Sequence, residues 1–143
     1  MARTSTSWRN ALCSAVGAAL AAGFLACRQA PRRDAVDATL VQDVNALVAR
    51  STPEGGTARD FVPLARDAGG VHSSWEIETD LTWPTYCGWL VTRIPPEYKR
   101  SGSCDSTVTF SRTTPADAFA LRVDRLTTVP RLRVRLDYRG YPF

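Results

Sequence analysis

Four groups of residues in this chain carry side chains capable of chemistry. The first is His72-Ser73-Ser74, an imidazole beside two hydroxyls, and His72 is the only histidine. A nucleophile and its base are brought together by tertiary contacts rather than by adjacency, and no G-x-S-x-G turn is present, so a loop histidine is the simpler reading. The second is Glu76 and Glu78. On a strand their carboxylates point the same way, about 6–7 Å apart, near the separation that acid/base hydrolysis uses. Adjacent solvent-facing acids are common, and no residue here is assigned a catalytic role. The third is the aromatic cluster Trp75, Trp83, Tyr86 and Trp89, which could stack a sugar or grip a peptide. Trp75 and Trp83 share parity with Ile77 and Leu81, which points them at a core and leaves Tyr86 and Trp89 as the expected surface members. The fourth is the arginine-rich end, where Arg131, Arg133 and Arg135 alternate with apolar residues. They could face anionic headgroups or phosphates, or form a solvated strand face. Tyr86, Trp89, Arg131, Arg133 and Arg135 together make the expected binding surface.

Other classes are excluded by counting. A lone histidine rules out a multi-histidine metal site. The net charge is +4, from 18 basic and 14 acidic residues, and it is scattered, which is unlike a dedicated nucleic-acid binder. Seventeen of the basic residues are arginine, a bias that fits a GC-rich genome as well as any ligand. No glycine loop suited to a phosphate and no zinc-ligand spacing occurs, so no cofactor and no metal are expected.

The N-terminus reads as an address. Arg3 and Arg9 precede an uncharged, alanine-rich stretch from Ala11 to Cys27, the pattern of a secretory signal peptide over residues 1–26. At 1.5 Å per residue that stretch would barely cross a hydrocarbon core as a helix. It closes on Phe24-Leu25-Ala26-Cys27, which resembles a bacterial lipobox, with Phe and Leu where Leu and a small residue are usual. The resemblance covers four residues and their signal context. It implies cleavage before Cys27, acylation of that thiol and a lipid anchor in the membrane. Arg28 follows in place of the aspartate associated with inner-membrane retention, so the periplasmic face of the outer membrane is the implied destination. Cleavage after Gly23 would instead give a secreted protein. Under the lipoprotein reading Cys13 is discarded and Cys27 is acylated. Cys87 and Cys104 then remain as a pair in an oxidising compartment, and are expected to form a disulfide.

These groups need elements to hold them. Residues 27–33 read as a basic tether. Helical spacing of Val36, Leu40, Val44, Leu47 and Val48 predicts a helix starting at Asp34, and Ser51 to Gly56 ends it. Thr57-x-x-Asp60 resembles a capping box and predicts a short helical turn limited by Pro63. From Ser74 the apolar period becomes two. Strands are expected at 74–83, 86–94, 107–113, around 119–123 and over 131–138. The fold class expected is α+β: an N-terminal helix and a short helical turn packed on an antiparallel sheet of four to five strands, one domain over residues 34–143. Glu76, Glu78 and Asp80 form an acidic row, and Arg131, Arg133 and Arg135 a basic one; both are expected on one side of the sheet, on adjacent strands.

The functional expectation is a small cell-envelope lipoprotein that binds, scaffolds or assembles without catalysis. Its partners would be the membrane, through the anchor, and an envelope protein. The alternative is a small secreted or periplasmic enzyme or ligand-binding protein with a cone-like α+β fold.

Overall fold

The computed structural model describes residues 37–142, with two helices and six strands. The signal segment, Cys27, the tether and the expected cap at Asp34 lie outside the described residues. The first helix, α1 (Ala38–Ser51), is capped by Asp37, whose carboxylate accepts from the Thr39 amide at 2.8 Å. Arg50 sits in its last turn, where a cation meets the helix carbonyl end. Val44, Leu47 and Ser51 are buried, with Leu40 and Val48 beside them, so the expected apolar face is the packed one.

The next element corrects an expectation. Residues of the supposed capping box form β1 (Thr57–Asp67), an edge strand hairpinned to β2 (Gly70–Thr79). An edge strand tolerates proline, because one side of its backbone has no partner to bond. Pro63 lies within the second of the two register shifts of the β1–β2 pairing, between Val62 and Ala65, and Asp60, within the first, adopts a φ of 48°. These irregularities blunt an edge that is exposed along nearly its whole length.

A second correction concerns the segment expected as a strand over 86–94, which is the helix α2 (Trp83–Arg93). Trp83, Tyr86, Cys87 and Leu90 are its buried residues, at the i, i+3, i+4, i+7 spacing of a helix. Pro84, expected to end a strand, instead occupies the first turn of this helix, where its missing N–H costs nothing. Leu81 and Trp83 are therefore not strand residues, and β2 stops at Thr79.

The remaining strands are β3 (Lys99–Ser101), β4 (Thr107–Thr113), β5 (Asp117–Thr127) and β6 (Leu132–Pro142). All neighbours are antiparallel, in the order β1-β2-β6-β5-β4-β3. The sheet thus has six strands, not four or five. It is a hairpin joined to a four-strand meander, and the last strand fills the centre.

Alternation divides the sheet into two faces. Trp75 and Ile77 of β2, Leu121 and Val123 of β5, and Val134 and Leu136 of β6 are essentially inaccessible and face the helices. Gly140 belongs to this inner row, where a Cβ would lie 2.7 Å from Val71 and 2.8 Å from Phe119. A disulfide joins Cys87 of α2 to Cys104 ahead of β4, with Cα atoms 5.9 Å apart. The Trp83 indole N–H donates to the Cys104 carbonyl and ties the same two segments. No described helix is long and apolar enough to cross a membrane.

Candidate functional site

With both helices on one side, no described element covers the other face of the sheet. Its side chains follow from strand parity and register. Across the strands, Arg59, Glu76, Arg135, Asp124 and Thr107 form one row; Val62, Ser74, Asp137, Arg122 and Thr109 form the next. Ala65, His72, Arg139, Ala120, Ser111 and Lys99 form a third.

The acidic and basic rows anticipated from sequence meet here, on adjacent strands and the same face. Glu76 is registered with Arg135 and Glu78 with Arg133, while the ion pairs run diagonally. Arg133 Nη2 meets Glu76 Oε2 at 2.5 Å, and Arg131 Nη1 meets Glu78 Oε1 at 3.1 Å. Arg131 also forks onto Asp80, with Nε 2.7 Å and Nη2 3.0 Å from its two oxygens. From the edge, Arg59 reaches Glu78 at 3.3 Å. Arg135 approaches Asp137 at 3.4 Å, and Arg122 holds Asp124 at 2.7 Å. Burial pushes the Asp124 carboxyl up. Hydrogen bonds from Arg122 and Thr107, with the charges of Arg122 and Arg135, outweigh that and hold it below its ordinary value.

Two shallow depressions of about 410 Å³ each lie on this face. The first is lined by His72, Ser74 and Arg135 among others, the second by Thr109, Ala120, Arg122 and Asp124. Asp137, Arg139 and Tyr141 border both. They therefore form one basin straddling the C-terminal half of β6. Ala120 and Gly70 keep its floor low, and the Tyr141 ring is 45% exposed beside it. The His72 Nδ1 lies 3.3 Å from Asp67 Oδ2, and no nucleophilic hydroxyl is hydrogen-bonded to the ring among the described residues.

The sequence-derived binding residues do not assemble into one surface. Tyr86, expected at the surface, is fully buried, and its hydroxyl donates to the Ser51 carbonyl at 2.8 Å. Its helical position turns it into the α1–α2 contact, which a strand reading could not anticipate. Trp89 is half-buried on the helix side, 5.8 Å from the Tyr86 ring, with the Arg93 guanidinium 5.5 Å over it. Arg131, Arg133 and Arg135 are on the open face, each against carboxylates of the same face. Glu76 and Glu78 are engaged by those arginines. Among the described residues, no group of three or more His, Cys, Asp or Glu side chains is placed to hold a metal ion.

The sequence reading counted Arg139 only within the arginine-rich end and did not single out Tyr141, although both continue the odd-numbered row begun at Arg131. The signal was parity, which holds through Pro142 because β6 is eleven residues long. No family model matches the chain, and neither does any curated protein or solved structure.

Proposed function

We propose that this chain is a small cell-envelope lipoprotein that works by binding, as a scaffolding or assembly module rather than a catalyst, and that the open face of its sheet is the binding surface. The observation that carries this reading is the one-sided architecture. Helices bury one face, while the other presents a broad field of charged and hydroxyl side chains with an aromatic ring at its margin. Such a surface offers orientation and hydrogen bonds to a partner without a nucleophile poised beside a base. The lipobox-like Phe24-Leu25-Ala26-Cys27 supplies the anchor, and the Cys87–Cys104 disulfide suits an oxidising compartment. Anchoring through Cys27 would keep the chain at the membrane on which an envelope partner resides.

The test has two readings from one strain. A photoreactive amino acid in place of Ser111, on the open face, is compared with one in place of Asn45, on exposed α1 surface. A discrete crosslinked partner from position 111 and none from position 45 is the expected result. Intact mass of the same membrane-extracted protein should show a chain starting at Cys27 with an added lipid. Equal crosslinking from both positions, or an unmodified N-terminus at Phe24, would overturn the binding-face or the lipoprotein part respectively.

A ligand-binding version of the alternative reading, a secreted or periplasmic protein, is favoured by one feature, the basin beside His72 and Arg139. It differs in needing no membrane partner, so the crosslink from position 111 would then be absent.

A further inference from the structure

The charges of the open face do not balance evenly. Each carboxylate on its central strands is already engaged: Glu76 by Arg133, Glu78 by Arg59 and Arg131, Asp124 by Arg122, and Asp137 by Arg135. Arg139 is different. Among the described residues it makes no ion pair, although it stands at the centre of the basin with Asp137 two positions away on its own strand. Its neighbours across the sheet are His72 on one side and Ala120 on the other. Ala120 leaves space where a longer side chain would fill the depression. Beyond it in the same row come Ser111 and then Lys99, with no acid between. Adjacent strands are about 4.8 Å apart, so Lys99 stands about 14 Å from Arg139 across this acid-free row.

We infer that the basin binds a single oxyanion, a carboxylate or phosphate group, on Arg139, and that the ligand part carrying it lies against the Tyr141 ring. A guanidinium offers a planar fork of donors that matches two oxygens of either group. The hydroxyls of Ser74 and Thr109 border the two lobes and suit the polar remainder of an acidic sugar. The Tyr141 ring, 45% exposed, gives that sugar an apolar face to cover. The arginines of the neighbouring rows, Arg122 and Arg135, already have their charge met by Asp124 and Asp137, so they attract an added anion less than Arg139 does. This assignment rests on the open face being the binding surface, and it names what that surface selects.

The test is an amide chemical-shift titration of the isotope-labelled full chain at constant ionic strength, with glucuronate, inorganic phosphate and glucose as probes. Saturable shifts confined to residues 70–74, 118–122 and 137–141, given by either anion and not by glucose, are expected. Arg139→Gln should weaken them roughly tenfold or more, the size of a lost charged hydrogen bond. Arg125→Gln, the same charge change on an exposed residue near the end of β5, should leave them in place. Tyr141→Ala weakening glucuronate alone identifies a carboxylated sugar as the source; equal phosphate and glucuronate binding, indifferent to Tyr141, would overturn the part given to the ring and leave the oxyanion on Arg139 alone. Absence of saturation, an equal response to glucose, or unchanged affinity in Arg139→Gln would overturn the inference. In that event a crosslink from position 111 would still support the open face as a protein-binding surface, so the two failures are distinguishable.

Discussion

Replacing Ser51 by alanine is expected to destabilise the domain far more than a small exposed-helix substitution would. Ser51 is the last residue of α1 and is inaccessible to solvent. Its Oγ accepts from the Trp75 indole Nε1 at 2.9 Å, and its backbone carbonyl accepts from the Tyr86 hydroxyl at 2.8 Å. One residue therefore joins α1 to the central part of β2 and to α2. Alanine keeps the carbonyl and so the Tyr86 bond. It removes the Oγ, leaving the indole N–H in the core with no partner. The Val48 carbonyl loses the Ser51 donor at 3.0 Å but keeps Thr52 at 2.8 Å, so no second orphan is made. An unsatisfied buried donor costs about 1–3 kcal/mol. For a domain of roughly 110 residues, about 2 kcal/mol lowers Tm by about 9 °C. Differential scanning calorimetry of wild type and Ser51→Ala, each also in a Trp75→Phe background, separates this from general loss of packing. The indole donor is gone in that background, so most of the Ser51→Ala cost should vanish there. A Tm change below about 2 °C, or an equal cost in both backgrounds, would refute the hydrogen-bond account.

Two further outcomes follow from named contacts. The Cys87–Cys104 bond closes a loop with a sequence separation of 17. The Cys87→Ala/Cys104→Ala double variant should lose about 3 kcal/mol and melt about 13 °C lower by calorimetry, and a shift under about 3 °C would show the loop to be pre-ordered when unfolded. The second concerns alkaline pH. Burial, above all, raises the hydroxyls of Tyr86, Tyr98 and Tyr138 over the ordinary value of 10.0. In the unfolded chain they ionise near 10, so the stability they lend is whole below that pH and is lost as pH climbs towards the folded values. Tyrosinate absorbance and circular dichroism followed together should show these three ionising as the sheet unfolds; full ionisation near pH 10 with an intact spectrum would contradict their burial.

Local patterning made much of the fold legible. The α1 face was readable because Val44, Leu47 and Leu40 recur at helical spacing, and β4, β5 and β6 were readable because alternation runs through each. The opposed acidic and basic rows could be paired in advance because like parity puts them on one side and complementary charge favours adjacency. Two elements were misread for a physical reason. A short apolar run such as Tyr86–Ile94 suits a buried strand or a buried helix equally, and proline ends one but begins the other. The spacing of Trp83, Tyr86, Cys87 and Leu90 held the answer. Thr57 to Asp67 has neither period, because an edge strand buries almost nothing and leaves no pattern to find.

The amino-acid sequence by itself determined the α+β class and the inward side of β2, β4, β5 and β6, since both follow from helical spacing or alternation among near neighbours. Only the tertiary structure decided that β6 lies between β2 and β5. That placement sets His72 beside Arg139 and Arg139 beside Ala120, from strands far apart in the chain. It also decided that, among the described arginines of the open face, Arg59, Arg122, Arg131, Arg133 and Arg135 find carboxylates and Arg139 does not. Electrostatic pairing acts over a few ångströms in space, and no local pattern states which distant residues will come that close.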